Sequence, residues 1–230
     1  MSTNLTSTNA RYHVFFRKIA IQTATLILCV VFDVAFSEQQ EQTPKTTPSD
    51  SNFFVDPRDG KRYRIVTIGK QTWMAYNLNY KIGNSWCYMD DNDRCKRYGR
   101  LYDWNTAMKA CPDGWRLPSR KEWQVLVNVA GGNLIAGKKL KSKTNWDTVT
   151  YPDKRGTDSY GFSALPGGAR SIDGDYFAAE SDGQAGYWWT ATESEGDNAY
   201  RRFTDDYSDE FLESKYSNKN MGFSVRCVQN

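Results

Sequence analysis

The clearest pattern of hydrophobic positions lies in residues 111–132. Four apolar side chains there recur at the spacing i, i+3, i+4 and i+7, which places them on one helical face: Trp123, Leu126, Val127 and Ala130. Ser119 and Glu122 stand just before this face with the spacing of a capping box. Gly131-Gly132 follows it, and glycine commonly terminates a helix. The pattern predicts a helix that begins after Ser119 and buries one side.

A second helical pattern covers residues 101–110, with Asp103 as its N-terminal cap. Its apolar side is formed by Trp104, Ala107 and Met108. A shorter apolar segment at residues 134–140 predicts a further short helix. The polar residues 86–97 are predicted as a loop.

β-branched and aromatic residues are concentrated at the two ends of the domain. Residues 63–68 and 71–76 flank Gly69-Lys70, which suits a type II′ hairpin loop, and Trp73 is expected to point into the core. Four more strands are predicted over residues 187–192, 199–204, 210–216 and 222–228. Two helices between strands from opposite ends of the chain indicate the α+β class.

Residues 145–186 show no clear periodicity. Gly, Asp, Ser and Pro dominate there, with aromatic residues interspersed. A loop of this length is uncommon in a compact domain unless its own side chains order it. We therefore predict a long irregular loop region that packs on the domain.

The N-terminal residues have the composition of a signal peptide. Basic residues precede an apolar run over residues 19–31, and small side chains at positions 35 and 37 suit cleavage after Ser37. The apolar run is shorter than the ~20 residues of a membrane-spanning helix. Residues 1–37 are thus predicted as a signal peptide, residues 38–51 as a disordered linker and residues 52–230 as one domain.

The predicted destination is outside the cell: secreted, or at the cell surface or outer envelope. An uncleaved signal anchor and a lipoprotein modified at Cys29 are the alternatives for the N-terminus. Contact with a membrane is expected only through an uncleaved leader.

The charge and the histidine content exclude several classes of function. The net charge is +3, with basic and acidic residues interspersed, whereas nucleic-acid-binding proteins carry a basic patch. The single histidine, His13, lies in the predicted leader, so the mature chain has no Ser-His-Asp or Cys-His arrangement. Glu193 and Glu195 beside Asp197 could act as paired carboxylates, but neighbouring acids at a strand end are usually solvated. We expect no enzymatic activity.

Four cysteines follow the predicted leader: Cys87, Cys95, Cys111 and Cys227. An even number in an exported domain indicates two disulfides, with three possible connectivities. A bridge between Cys87 and Cys95 would close a short loop rich in Asp and Asn, which is the simplest assignment for that pair. The acids of this loop, within residues 90–93, could instead bind calcium, although the glycine and the distal glutamate of an EF-hand loop are missing.

Several motifs follow one another along the domain: Asp59-Gly-Lys-x-Tyr63, Gln71-x-Trp-Met-Ala-x-Asn-Leu78, Tyr98-Gly-Arg-Leu-Tyr-x-Trp104, Cys111-Pro-x-Gly-Trp-x-Leu-Pro-Ser119 and Gly222-Phe-Ser-Val-Arg-Cys-Val228. With these motifs, residues 52–229 resemble the Fibrobacter succinogenes major paralogous domain. The resemblance implies an exported, often surface-associated domain without an established activity. It also implies a fold related to C-type lectins and to the formylglycine-generating enzymes.

The fold implied by this resemblance joins its terminal strands and places a long loop region before its last strands, a place that residues 145–186 fit. It ties a helix to the last strand by a disulfide, which implies Cys111–Cys227 and leaves Cys87–Cys95 as the local pair. Formylglycine-generating enzymes need a reactive cysteine pair near the C-terminus, whereas only Cys227 lies there in this chain.

Candidate binding residues lie in and beside the long loop region. Trp188 and Trp189 are neighbours on a predicted strand and face opposite sides, so one is expected in the core and the other could line an exposed patch. Aromatic side chains offer flat apolar faces to a ligand. The other candidates are Tyr176, Tyr200 and Arg170, the last of which could instead form an internal salt bridge.

Calcium is the candidate cofactor. Asp173 and Asp175, with Glu180 and Asp182 nearby, form the best acidic cluster of the loop region. The Glu-Pro-Asn and Trp-Asn-Asp motifs of sugar-binding C-type lectins are absent from the sequence.

The sequence therefore predicts a non-catalytic surface or envelope domain that binds a polysaccharide or a surface protein through its loop region. A structural or assembly component of the envelope is the first alternative. An enzyme resembling the formylglycine-generating group is the second.

Overall fold

Short helices and strands alternate along the chain, because its apolar runs are brief and turn residues are frequent. The computed structural model describes residues 52–178 and 184–230. Within these residues there are four α-helices: α1 (Asn92–Tyr98), α2 (Trp104–Ala110), α3 (Arg120–Val129) and α4 (Asn133–Leu140). The leader and linker predicted for residues 1–51 lie outside the described residues.

The strands between and after these helices are mostly short. In order they are β1 (Phe53–Val55), β2 (Arg62–Ile68), β3 (Gln71–Met74), β4 (Ser85–Trp86), β5 (Leu101–Tyr102), β6 (Trp115–Arg116), β7 (Ala169–Arg170), β8 (Tyr176–Phe177), β9 (Ala185–Glu193), β10 (Asn198–Asp205), β11 (Leu212–Asn218), β12 (Phe223–Ser224) and β13 (Val228–Gln229). Helices combined with mainly antiparallel strands confirm the α+β class.

Two sheets form the body of the domain. The strand order is β1-β2-β3-β13-β6 in the first and β11-β10-β9-β12-β5-β4 in the second. Val228 of β13 pairs with Trp73 of β3, so the last strand inserts beside one of the first. The two ends of the domain are therefore joined in one sheet. β7 and β8 form a separate two-stranded ribbon.

The hairpin of β2 and β3 has the predicted two-residue loop. Ile68 pairs with Gln71 across Gly69-Lys70. Gly69 has a φ of 62°, and Lys70 is not among the residues with positive φ, which favours a type II′ turn over type I′. Trp73 of β3 is fully buried, as predicted.

α3 is the helix that the apolar face predicts. The Glu122 N–H donates to the Ser119 hydroxyl, and the Ser119 N–H donates to the Glu122 carboxylate, which completes the capping box. The apolar side of the helix is buried through Trp123, Leu126 and Val127.

The second predicted helix begins later than expected. Leu101 and Tyr102 form β5, because they pair with β12 on one side and β4 on the other. α2 starts at Trp104, and the Thr106 N–H donates to the Asp103 carboxylate, which confirms Asp103 as the cap. Met108, which was assigned to the apolar side, is 44% exposed.

The polar residues predicted as a loop contain α1. Asp91 caps this helix by accepting a hydrogen bond from the Asp93 N–H, so residues that suggest a turn here start a helix. α4 confirms the short helix predicted over residues 134–140, so α1 is the one of the four described helices that the sequence did not predict.

β9 is the central strand of the domain, because apolar side chains cover both of its faces. On one face Trp189 packs against Phe223, with 4.4 Å between ring centroids. On the other face Trp188 stacks on Phe211 at 5.5 Å and joins the apolar side of α3. The domain thus has two cores that share one strand.

The long loop region packs on the domain, as predicted. Its Phe162 is fully buried, and the buried Arg226 guanidinium donates to the carbonyls of Phe162 and Ser163 at 2.5 and 3.1 Å. The same guanidinium reaches the Met74 carbonyl at 3.2 Å and Asn77 Oδ1 at 2.8 Å. Arg226 therefore fastens the loop region to the end of β3.

Two disulfides cross-link the described residues. Cys87 pairs with Cys95 and Cys111 with Cys227, with Cα–Cα distances of 5.0 and 5.9 Å. Both predicted pairs are confirmed, and they are consistent with an exported protein. Among the helices of residues 52–178 and 184–230, none has the length and apolarity that crossing a membrane requires.

Candidate ligand-binding cleft

The two neighbouring tryptophans are both core residues. Trp188 and Trp189 are each 0% exposed, because the two faces of β9 are both covered. The Trp188 indole N–H donates to Asn77 Oδ1 at 2.9 Å, and that of Trp189 donates to the Tyr102 carbonyl at 2.7 Å. The prediction that one of them lines an exposed patch is therefore wrong.

Tyr176 and Arg170 lie on the β7–β8 ribbon, where Tyr176 packs against the segment closed by Cys87–Cys95 and Arg170 packs against Trp86, just before it. The Tyr176 hydroxyl donates to Asp90 Oδ1 at 2.8 Å. The Arg170 guanidinium lies 4.3 Å from the centroid of the Trp86 ring, a cation–π contact. No ion pair of Arg170 occurs within the described residues, so the internal salt bridge considered for it is replaced by this contact.

Tyr200 is in a third place. It is half-buried on β10, and the Arg120 guanidinium of α3 lies 4.6 Å over its ring. Arg120 also forms an ion pair with Glu213 at 2.7 Å. The five predicted ligand-binding residues therefore lie in the cores, on the ribbon and on β10 beside the start of α3, and do not form one patch.

The predicted calcium ligands are not assembled by the described residues. Asp173 and Asp175 are exposed in the turn between β7 and β8. Glu180 and Asp182, the acids expected beside them, lie outside the described residues. Nowhere in residues 52–178 and 184–230 do three metal-ligating side chains of the types His, Cys, Asp and Glu converge.

The acids considered as a catalytic pair are exposed at the β9–β10 turn. Glu193 forms an ion pair with Lys219 at 3.3 Å, and Glu195 lies 3.9 Å from Lys215. Asp197 is exposed as well. This arrangement is that of solvated surface charges.

A different set of residues forms a cleft of about 430 Å³ between the long loop region and the end of β10. This volume lies within the roughly 300–1,000 Å³ of small-ligand sites. We call it the acidic cleft, and it is defined by the following residues: Asp147, Thr150, Tyr151, Ala178, Gln184, Ala185, Tyr187, Phe203, Asp205, Asp206 and Tyr207.

Two aromatic pairs line the acidic cleft. Tyr187 of β9 and Phe203 of β10 face each other in register and stack with ring centroids 6.0 Å apart. Tyr151 and Tyr207 make an edge-to-face pair at 6.1 Å, with 41% and 59% of their surfaces exposed. The Arg201 guanidinium already lies over the rings of Tyr187 and Phe203, 4.9 and 5.4 Å from their centroids. The exposed rings of Tyr151 and Tyr207 are therefore the apolar surfaces that a ligand could reach.

Carboxylates supply the polar part of the cleft. Asp205 and Asp206 are only 9% and 6% exposed, and Asp147 is half-buried. Burial is the largest cause that raises the pKa of Asp206 above its ordinary range, and the charges of Asp147 and Asp205 add to it. The charge of Asp205 likewise raises the pKa of the Tyr207 hydroxyl. The three acids therefore share one electrostatic environment.

A buried lysine holds the turn that carries these acids. Lys141 is 0% exposed, and its Nζ donates to the carbonyls of Asp205 at 2.9 Å and Ser208 at 2.8 Å. Burial lowers the pKa of Lys141 to about 8. Its side chain thereby fixes the backbone of the cleft without neutralising the carboxylates through direct ion pairs.

Replacing Lys141 by methionine is expected to change how stability depends on pH. The folded pKa is about 8 and the ordinary value is 10.5, so between these values the unfolded chain binds a proton that the folded chain does not. Measured by urea unfolding, the free energy of unfolding of the wild type should therefore rise between pH 8 and 10.5 relative to that of Lys141→Met. Lys143→Met, at an exposed position, is the control. A difference between wild type and Lys141→Met that is constant with pH would contradict the assignment.

A second cleft, of about 290 Å³, is lined by basic residues around Tyr76. Two of its cations are already paired, since Lys61 contacts Asp59 at 2.6 Å and Lys96 contacts Asp93 at 2.7 Å. The acidic cleft is therefore the better candidate for a ligand-binding site.

The sequence patterns around the residues of the acidic cleft describe each segment separately and do not show that the segments meet. Asp205-Asp206 directly follows the strand predicted over residues 199–204, and Tyr187 begins the strand predicted over residues 187–192. Tyr151 and Asp147 come from a distant segment, and only the folded loop region brings them beside β10.

The comparisons with known proteins identify the family. Residues 66–229 match the model of the Fibrobacter succinogenes major domain. No curated protein and no solved structure shows significant similarity to the chain. The relation to C-type lectins that the resemblance implies stays a prediction. Because the match covers most of the chain and includes both disulfides, this chain belongs to the Fibrobacter succinogenes major domain family.

Proposed function

We propose that the chain is an exported, non-catalytic domain that binds a polysaccharide in the acidic cleft. The observation that carries this proposal is the combination of two aromatic pairs with three carboxylates in one cleft of the long loop region. The proposal keeps the predicted site in the loop region, but assigns it to accessible surfaces of the cleft in place of Trp188 and Trp189.

Sugar rings match this combination in two ways. Their C–H faces are apolar and pack on aromatic rings, while their hydroxyl groups donate hydrogen bonds to carboxylates. Tyr151 and Tyr207 are exposed, and Asp147 is partly so. In a cleft of this kind the carboxylates would orient the ligand by accepting hydrogen bonds, and the aromatic rings would supply apolar contact area.

The absence of catalysis is part of the proposal. Both disulfides use the cysteines of the domain, which leaves none of these four as a free thiol nucleophile. The domain also has no histidine to serve as a general base. Export is supported by the same disulfides, and the small net charge argues against a nucleic-acid partner.

Removal of the exposed rings tests the function. We expect Tyr207→Ala and Tyr151→Ala each to weaken binding to a polysaccharide roughly five- to tenfold, because truncation of a contacting aromatic ring removes much of its binding energy. Affinity electrophoresis against a panel of soluble polysaccharides would measure this with the full chain, disulfides intact.

Tyr216→Ala is the matched control, since Tyr216 is 70% exposed on β11 and does not line the cleft. Thermal unfolding should differ little among the three variants. Binding that is unchanged by both cleft variants, or the absence of binding to every polysaccharide of the panel, would reject the function.

An envelope assembly component is the second candidate function. It is supported by exposed apolar side chains on α3 and α4: Val125, Val129, Leu134 and Ile135. Apolar surface of this kind suits a protein–protein contact. Sedimentation of the full chain would test it, because self-association that disappears in Leu134→Lys would favour assembly, whereas a monomer at high concentration would count against self-assembly.

A further inference from the structure

A guanidinium group lies against the shorter of the two disulfides. Arg100 Nη1 is 3.4 Å from the Sγ atoms of both Cys87 and Cys95. Arg100 forms no ion pair within residues 52–178 and 184–230, so no carboxylate there neutralises its charge. The positive charge therefore acts on the two sulfur atoms.

Two hydrogen bonds to Ser85 hold this guanidinium in place. Its Nε donates to the Ser85 hydroxyl at 3.1 Å, and its Nη2 donates to the Ser85 carbonyl at 2.7 Å. A disulfide sulfur accepts hydrogen bonds only weakly, whereas a thiolate is negatively charged and forms a charge-assisted bond. Because the donor is already positioned, it stabilises the reduced form of the bridge more than the oxidised form.

The backbone inside the loop that this disulfide closes is strained. Met89 and Asp90 have φ values of 53° and 55°, in the left-handed region that is uncommon for residues other than glycine. Such conformations persist only where the surrounding structure imposes them. Opening the bridge between Cys87 and Cys95 would let both residues relax, which also favours reduction.

The guanidinium has no counterpart at the long disulfide. Cys111 is half-buried and Cys227 is fully buried. No lysine or arginine in the part of the chain that the structure describes donates a hydrogen bond to either sulfur. Cys87 and Cys95 are only 6% and 4% exposed, so access to solvent does not make the short bridge the more reactive one. The difference between the two bridges therefore comes from the guanidinium and the strained backbone.

We infer that Cys87–Cys95 is a thiol–disulfide exchange site, which a dithiol reduces under conditions that leave the long disulfide intact. A thiolate of the dithiol attacks Cys95, which lines the cleft around Tyr76. The bond between the two cysteines breaks, and its electron pair goes to the Cys87 sulfur beside Arg100. The second thiolate of the dithiol then breaks the mixed disulfide and releases Cys95.

The net reaction moves two electrons and two protons from the dithiol to the cysteines. The dithiol becomes a disulfide, and the cysteines become thiols. This inference goes beyond the proposed function and does not depend on polysaccharide binding.

Reduction should also loosen the β7–β8 ribbon. The segment between the two cysteines contacts this ribbon through Tyr88, whose ring centroid is 5.1 Å from that of Tyr176. It also contacts the ribbon through Asp90, which accepts a hydrogen bond from the Tyr176 hydroxyl at 2.8 Å. Both contacts depend on the backbone conformation of residues 88–90, which the bridge maintains. The exchange site thereby determines how firmly the ribbon is held against the domain.

Redox titration of the full chain tests the inference. The protein is equilibrated with mixtures of reduced and oxidised dithiothreitol, free thiols are trapped by alkylation, and peptide mapping gives the reduced fraction of each bridge. We expect the midpoint for Cys87–Cys95 at a reduced-to-oxidised ratio at least roughly tenfold lower than that for Cys111–Cys227, which corresponds to about 30 mV.

Arg100→Met should shift the Cys87–Cys95 equilibrium roughly tenfold towards the disulfide, because the thiolate form loses its cation. Ser85→Ala removes one of the two bonds that hold the guanidinium and should give a smaller shift in the same direction, with less disturbance of the fold. Arg155→Met, at an exposed position, is the control and should leave the midpoint unchanged.

Hydrogen exchange, in the mixture that opens only the short bridge, tests the loosening of the ribbon. Amides of residues 169–177 should exchange at least roughly tenfold faster than in the oxidised protein, whereas those of β9 should not change. Reduction of the long bridge at the same or a lower ratio would overturn the exchange site, as would wild-type midpoints in both Arg100→Met and Ser85→Ala. Unchanged exchange of residues 169–177 after reduction would overturn the effect on the ribbon.

Discussion

Replacing Arg226 by methionine is expected to lower the free energy of unfolding by about 4 kcal/mol or more. The guanidinium is fully buried and serves the carbonyls of Met74, Phe162 and Ser163 and the side-chain oxygen of Asn77. Methionine would fill much of the space but donate nothing. Each buried acceptor left unpaired costs about 1–3 kcal/mol, which outweighs the relief of removing a buried charge.

Urea unfolding followed by tryptophan fluorescence would measure this loss. The loss for Arg226→Lys should lie between zero and the loss for Arg226→Met. An ammonium group has fewer N–H donors than a guanidinium group and lacks its planar geometry. Arg155→Met, at an exposed position, is the control and should stay within about 0.5 kcal/mol of wild type. A loss below about 1 kcal/mol for Arg226→Met would show that water or backbone movement satisfies these carbonyls.

The second large effect concerns the two disulfides, which close loops of very different length. The paired cysteines are 116 residues apart for Cys111–Cys227 and 8 apart for Cys87–Cys95. In the chain-entropy model these separations correspond to about 5 and about 2.5 kcal/mol of stabilisation. We therefore expect the double variant Cys111→Ala with Cys227→Ala to lose about twice as much stability as Cys87→Ala with Cys95→Ala.

The two double variants serve as controls for each other, because each removes one bridge and two sulfur atoms. Urea unfolding of both, after intact-mass analysis has shown that the remaining bridge is formed, gives the comparison. An equal loss, or a greater loss for the short loop, would mean that local packing at the cysteines outweighs loop closure.

Local signals in the sequence predicted the parts of the fold that depend on neighbouring residues. The capping box of Ser119 and Glu122 and the apolar spacing after it place α3 correctly, because both act within a few turns. The Gly69-Lys70 loop was likewise predicted correctly, because its turn type depends on these two residues alone. α1 was not predicted, because its capping residues resemble turn residues. Only Cys95 and Tyr98 are buried along its length, which is too few to give an apolar periodicity.

The candidate site could not be predicted from local signals. Alternation along β9 shows that Trp188 and Trp189 face opposite sides, but it cannot show that both sides are covered. The second core depends on α3 and on Phe211, which come from other parts of the chain. The acidic cleft likewise depends on residues 147–151 meeting residues 203–207, and no sequence period links these segments.

The interior position of β13 has a consequence for how the chain folds. Its pairing of Val228 with Trp73 is among the most distant in the sequence, and topologies with such high contact order fold slowly. The complete first sheet, the Arg226 contacts and the long disulfide all need residues 226–228, so none of them can form before these residues have been synthesised. A domain that completes its sheet only with its last strand stays incompletely folded while its earlier residues are synthesised, which is compatible with the proposed export before folding and disulfide formation.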